Sequence, residues 1–187
     1  MTTLIAARAA FSTRRPFRPP PLETHMSDST PLIEQSITSR NEPDAETAAV
    51  VGRLLERIGA GNPDHIAALF ATDVEWRLSW PDSELAGSVP WIRPRRTPAD
   101  VREHFAALTE HNTPDGAGTT VERVLVDGRD AVVLGTIRNV LRASGVPYRA
   151  DFALHLTIED GRIRRYHIYE DSLAVSNAWN AAPLDDD

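Results

Sequence analysis

The chain contains no cysteine and no lysine. Without cysteine there is no disulfide framework, thiolate zinc site or thiol nucleophile, and without lysine no Schiff base, pyridoxal-phosphate anchor or P-loop lysine. All 20 basic residues are arginine. Aromatic residues make up only 6%, and no apolar run approaches the roughly 18 residues of a membrane-spanning helix. The formal charge of −7 opposes nucleic-acid binding, because counterion release requires a basic face. What is present, 187 residues at 41% hydrophobic and 25% charged, suits one soluble globular domain with flanks.

Residues 1–26 carry Arg8, Arg14, Arg15 and Arg18 against Glu23 alone, with Pro16, Pro19, Pro20 and Pro21 opposing regular structure. Met26, followed by Ser27-Asp28-Ser29, reads as an alternative start; a targeting segment and a disordered tail are the other readings. Residues 1–43 are expected to form a disordered extension, 44–180 the domain and 181–187 an acidic tail.

From Asp44 the pattern is periodic. Val51, Leu54, Leu55 and Ile58 recur at helical spacing and end at Gly59 and Gly61. Asn62-Pro63-Asp64 caps a short second helix with Ile66, Leu69 and Phe70. Val74, Trp76, Leu78 and Trp80 alternate with polar residues as in a strand, and Thr97-Pro98-Ala99-Asp100 caps a third helix. Four β-rich runs follow at 119–127, 130–143, 147–159 and 162–170. Their junctions, Asp127-Gly128, Ser144-Gly145 and Asp160-Gly161, are hairpin signals. A short helix over 173–180 completes an α+β order whose curved antiparallel sheet wraps over three N-terminal helices.

That order, with Phe70-Ala71-Thr72-Asp73-Val74-Glu75-Trp76 and with Asp160-Gly161-Arg162-Ile163 leading into Tyr166-His167-Ile168-Tyr169-Glu170-Asp171, resembles the SnoaL-like, ketosteroid-isomerase-like branch of the NTF2-like superfamily. The resemblance implies a cone with a deep apolar pocket, a homodimer through the outer sheet face, and cofactor-free isomerisation, cyclisation, dehydration or epoxide hydrolysis. The expected ligand is an apolar, ring-containing small molecule, the expected location cytoplasmic, and composition argues against a membrane or nucleic-acid partner.

Strand alternation puts Ala150, Phe152, Leu154 and Leu156 on one face of the third run and Arg149, Asp151, Ala153 and His155 on the other. The first set is taken as the pocket face. By resemblance, Trp76, Leu78, Trp80, Ile137, Asn139, Leu141, Tyr166, Ile168 and Glu170 also point inward. The family's acids do not transfer: Leu78 stands at the ketosteroid isomerases' aspartate, Ile168 at the cyclases' acid, and Ile137 and Asn139 at the epoxide hydrolases' arginine and aspartate.

Glu170 is then either a general base with proton affinity raised by burial or a carboxylate on a solvated rim. Tyr166 is an oxyanion donor or a core aromatic; Asn139 polarises a ligand oxygen or bonds Tyr166 or water. His167 is the natural proton carrier at neutral pH but is expected outside, unless a bulge in the last strand reverses the faces and brings it in with Tyr169. Asp171 reads as a helix cap, Asp151 with Arg149 as a surface pair, and His65 and His104 as surface residues. No metal-ligand spacing is present. The alternative to an enzyme is a ligand-binding or dimerisation module that kept the pocket and lost the acids.

Overall fold

The structure, a computed structural model, describes residues 41–80 and 89–181. The expectations for residues 1–26, the start at Met26 and most of the acidic tail lie outside this range. Helix α1 (Asn41–Ala60) begins three residues before the expected Asp44 and buries Val50, Val51 and Leu54. Two side chains in its first two turns tie it to the sheet. Asp44 Oδ1 accepts from Gly128 N at 2.7 Å, and Thr47 Oγ1 donates to Gly128 O at 2.8 Å.

Helix α2 (Pro63–Ala67) starts at Asn62, whose side chain accepts from the amides of Asp64 and His65. Strand β1 (Phe70–Leu78) follows. Helix α3 (Pro98–His111) opens on a reciprocal cap in which Thr97 accepts from Asp100 N while the Asp100 carboxylate accepts from Thr97 N. Strands β2 (Gly118–Asp127), β3 (Asp130–Val140), β4 (Pro147–Glu159) and β5 (Arg162–Glu170) form the meander, and α4 (Ser172–Asn180) is capped by Asp171. The second of the expected β-rich runs, β3, ends at Val140, short of residue 143, and Leu141 bridges Asn112 instead.

The α+β architecture is as expected, but the sheet is mixed rather than antiparallel throughout. Its order is β1-β5-β4-β3-β2, and β1 lies parallel to β5. The hairpin signals specify only neighbours in sequence. β1 is joined to the far end of the sheet by a long connection through α3, and its pairing depends on tertiary packing.

The β4–β5 turn puts both Asp160 (φ 49°) and Gly161 (φ 69°) in the left-handed region, the geometry that a two-residue hairpin requires. Two irregularities bend the sheet. Between Val121 and Arg123, β2 carries an extra residue opposite Gly135 and Leu134; on β5, Arg164 is extra between Ile163 and Arg165. Such bulges increase local curvature and reset which side chains face inward.

At the β2 bulge the strands approach so closely that a Cβ on Gly135 would lie 2.2 Å from the Thr120 carbonyl oxygen and 2.9 Å from the Phe152 ring. The nearer neighbour is backbone of the paired strand, so the strands themselves would have to shift. Gly135→Ala is therefore expected to destabilise by roughly 2–3 kcal/mol, measured by denaturant unfolding; an unchanged midpoint would show that the bulge relaxes freely.

The concave face packs on α1–α3 through Phe70, Trp76, Val101, Phe105, Phe152, Leu156 and Tyr166. A second cluster, Val89, Trp91, Ile92, Leu141, Ala150, Val175 and Ala178, lies under α4. Among the described residues, no helix is long and apolar enough to cross a membrane.

Candidate functional site

The alternation of β5 resumes after its bulge, so Ile163 and Tyr166 are both buried despite their odd spacing. From Tyr166 onward every second residue points inward, through Ile168 to Glu170. The bulge precedes Tyr166, and His167 and Tyr169 consequently lie on the outer face. There His167 Nε2 is 2.8 Å from Ser79 Oγ, and its ring stacks on Tyr169 at 4.1 Å.

Glu170 is the carboxylate of the inner face. It is mostly withdrawn from solvent, and Trp80 Nε1 donates to its Oε1 at 2.8 Å. Burial pushes its proton affinity above the usual carboxylate range and the charge of Asp171 adds to this, while the Trp80 bond works the other way.

Two phenols feel that carboxylate. Tyr166 is buried, and desolvation first, then Glu170, raise its pKa. Tyr148, which the sequence reading passed over, is pushed up to about 12 by burial and by Glu170, with the Asn139 bond opposing. Asn139 Nδ2 donates to Tyr148 Oη at 2.9 Å, so its protein partner is Tyr148 rather than Tyr166. Because the Tyr148 oxygen accepts that bond, its own proton is left to donate elsewhere. Tyr148 lies two residues before Ala150 on the same strand, and alternation alone places it with the inner set.

The remaining inner residues divide into two groups. Trp76 stacks face to face on Tyr166 (centroids 4.1 Å, planes 6° apart) beside Phe70, filling the narrow part of the concave face. Leu78, Trp80, Leu141 and Ala150 surround the Glu170 end beneath α4, while Ile137, Phe152, Leu154 and Ile168 belong to the main core. Trp80 binds Glu170, whereas the Trp76 indole N–H is buried with no acceptor among the described residues.

Two other histidines differ in placement. His65 is exposed as expected. His104 is not a surface residue: it is 5% exposed, edge-on to Trp76 at 4.8 Å, with Nδ1 3.2 Å from the Trp91 carbonyl. It follows Val101 by three positions and so shares the buried stripe of α3. On the outer face His155 pairs with Asp130 at 2.8 Å and Arg149 with Asp151 at 3.3 Å. Among the described residues, no three His, Asp or Glu side chains converge in a way that could hold a metal.

A concave mixed sheet over three helices, with a tryptophan-held carboxylate at the end of its last strand, is the geometry on which the comparisons bear. The SnoaL-like domain family matches residues 51–166. The chain belongs to the SnoaL-like family. Comparison with curated proteins finds no match. Among solved structures, this SnoaL-like chain is similar to an NTF2-like protein of unknown function from Burkholderia pseudomallei, with 18% identity, TM-score 0.63, and coverage of 73% of this chain and 98% of the other. It is also similar to TerC co-crystallised with polyporic acid (18% identity, TM-score 0.61, 73% and 99% covered). A candidate SnoaL-like polyketide cyclase from Jannaschia is similar at 19% identity, TM-score 0.59, with 78% and 99% covered. At these identities the likeness shows the fold.

Proposed function

We propose that this SnoaL-like domain binds an apolar, ring-containing carbonyl compound at the Glu170 end of its concave face and catalyses cofactor-free proton transfer on it. The observation that carries the reading is Glu170 itself, a desolvated carboxylate held by one indole N–H with two phenols in electrostatic reach. Ionised Glu170 removes a proton from the carbon beside the carbonyl, and the electron pair moves onto the carbonyl oxygen. The Tyr148 hydroxyl, oriented by Asn139, donates to that oxygen. Protonated Glu170 then returns the proton at a different carbon, which is isomerisation. If the carbanion instead attacks a second carbonyl, a ring closes. If it expels a hydroxyl group that takes up the proton, water leaves. Each route balances without an oxidant or reductant.

The reading is tested by incubating the protein with a panel of cyclic ketones in D2O and following exchange of the α-hydrogens by NMR. Wild type is expected to accelerate exchange, and Tyr148→Phe to slow it by roughly 10²-fold, the loss typical of one oxyanion donor. Exchange indifferent to both Tyr148 and Glu170 would sink the assignment.

A binding module without catalysis is the second reading. It is favoured by Leu78 and Ile168 standing where relatives place acids and by the Trp76–Tyr166 stack that fills the interior. Quenching of tryptophan fluorescence by the same ketones, with no exchange, is its signature. In that case Asn139→Leu should tighten binding of apolar ligands.

The domain is further proposed to be a homodimer through the outer sheet face. That face interleaves Leu125, Val132, Leu134, Ala153 and Tyr169 with Arg149, Asp151 and His155, and Leu125 and Tyr169 are about half exposed. A self-complementary polar and apolar face suits a two-fold pair. Light scattering at high micromolar concentration should report a dimer and Leu134→Glu a monomer; a monomeric wild type would refute this.

A further inference from the structure

Away from the Glu170 end, the free edge of β1 borders a depression of about 300 Å³ lined by Arg77, Arg95, Arg96, Arg164, Asp73 and Trp76, among others. The Val74 amide donates to the Arg96 carbonyl at 2.7 Å and so brings the 95–96 segment alongside the strand. In a chain of net charge −7, this depression gathers four guanidinium groups against the carboxylates of Asp73 and Glu75.

Two of the four are committed. Arg164 pairs with Asp73 at 2.9 Å, and Arg77 with Glu75 at 3.2 Å; Glu75 is shared with Arg165 at 2.9 Å. The other two are held more loosely. The exposed Arg96 side chain makes no ion pair among the described residues. The Arg95 side chain is only 5% exposed; its Nη1 donates to the Asp100 carbonyl at 2.7 Å, and the solvent-facing Glu103 comes no nearer than 3.8 Å. Its Nε–H is buried with no acceptor among the described residues, as is the indole N–H of Trp76.

A buried guanidinium lacking a close carboxylate is unfavourable in isolation. Desolvation lowers the proton affinity of Arg95, and the Arg95 charge in turn helps to keep His104 neutral. Both effects place the Arg95 charge in an enclosed, poorly hydrated setting.

We propose that this depression is an oxyanion site that takes a phosphate group, either free or as a monoester. The unpaired Arg96 and the loosely paired Arg95 suit a phosphate dianion better than a singly charged carboxylate. The planar fork of arginine suits paired bonds to phosphate oxygens. The orphaned Arg95 Nε–H supplies a donor with no acceptor of its own.

The test titrates the full chain with inorganic phosphate, phenyl phosphate and acetate at constant ionic strength, by calorimetry and by the indole N–H resonances. Saturable one-to-one binding of phosphate is expected, at least ~10-fold tighter than acetate, with the Trp76 resonance moving. Arg96→Ala should weaken it ~10-fold, the loss of one charge-assisted bond. Arg95→Met should abolish it, and if that variant does not fold, the exposed Arg96 decides. Phenyl phosphate binding more tightly than phosphate identifies an organic phosphate as the ligand; equal affinity identifies the free ion. Phosphate bound no better than acetate, or affinity untouched by Arg96→Ala, overturns the proposal.

Discussion

Replacing Glu170 with glutamine is expected to lower ketone exchange or turnover at least ~100-fold while leaving ligand affinity within a few-fold. The substitution keeps the shape and the oxygen that accepts from Trp80 Nε1. It removes only the capacity to take a proton. A structural role would give a different pattern, because burial raises the proton affinity of Glu170 in the folded state. Its stabilising contribution is complete below the ordinary carboxylate range and is lost as pH rises through the raised folded value. At neutral pH the buried charge therefore opposes folding, and Glu170→Gln should be at least as stable as wild type. Loss of activity together with undiminished thermal stability identifies a proton carrier. The acid limb of the pH–rate profile should also lie above the ordinary carboxylate range and disappear in the variant. Activity that survives the change would refute the assignment.

Most of the secondary structure was legible because its determinants are local. Asn62, Thr97 and Asp171 cap the helices that follow them, and Asp160-Gly161 forms the turn its dipeptide specifies. The parallel pairing of β1 with β5 was not legible. It joins residues about 90 positions apart, and neither strand carries a mark of its partner. The inner register of β5 was reached through resemblance, whereas physically it depends on the bulge at Arg164, an arginine among arginines with no turn residue to announce it. Tyr148 and His104 were different. Tyr148 continues the alternation of Ala150 and Phe152, and His104 continues the stripe of Val101. His104 was missed because a histidine on a helix was read as a surface residue, and Tyr148 because the inner set of its run was started at Ala150, one step of the alternation too late.

His104 should make the protein unusually sensitive to acid. Its imidazole is enclosed by Trp76, Phe105 and the Trp91 carbonyl. Burial, assisted by the positive charge of Arg95, lowers its pKa from 6.5 to about 3 against the opposing pull of the Trp91 bond. The unfolded chain accepts this proton as pH falls through the ordinary histidine range, and the folded chain resists it. The stability held above pH 6.5 is therefore lost progressively down to about pH 3. A difference of about three and a half units corresponds to roughly 5 kcal/mol, since each unit is worth about 1.36 kcal/mol. The carboxylates of Asp100 and Asp130, whose pKa values are lowered in the fold, add acid lability of their own. A variant is thus needed to isolate the histidine. His104→Leu forfeits the bond to Trp91 and should be less stable than wild type at pH 7.5 by about 1–3 kcal/mol, the penalty for an unpaired buried carbonyl. Its urea midpoint should then fall less steeply with acid, because no buried imidazole remains to be charged, and the two curves should converge or cross between pH 5 and pH 4. Parallel curves over that interval would place the acid lability elsewhere, and His104 would be a neutral core residue whose titration lies outside the folding range.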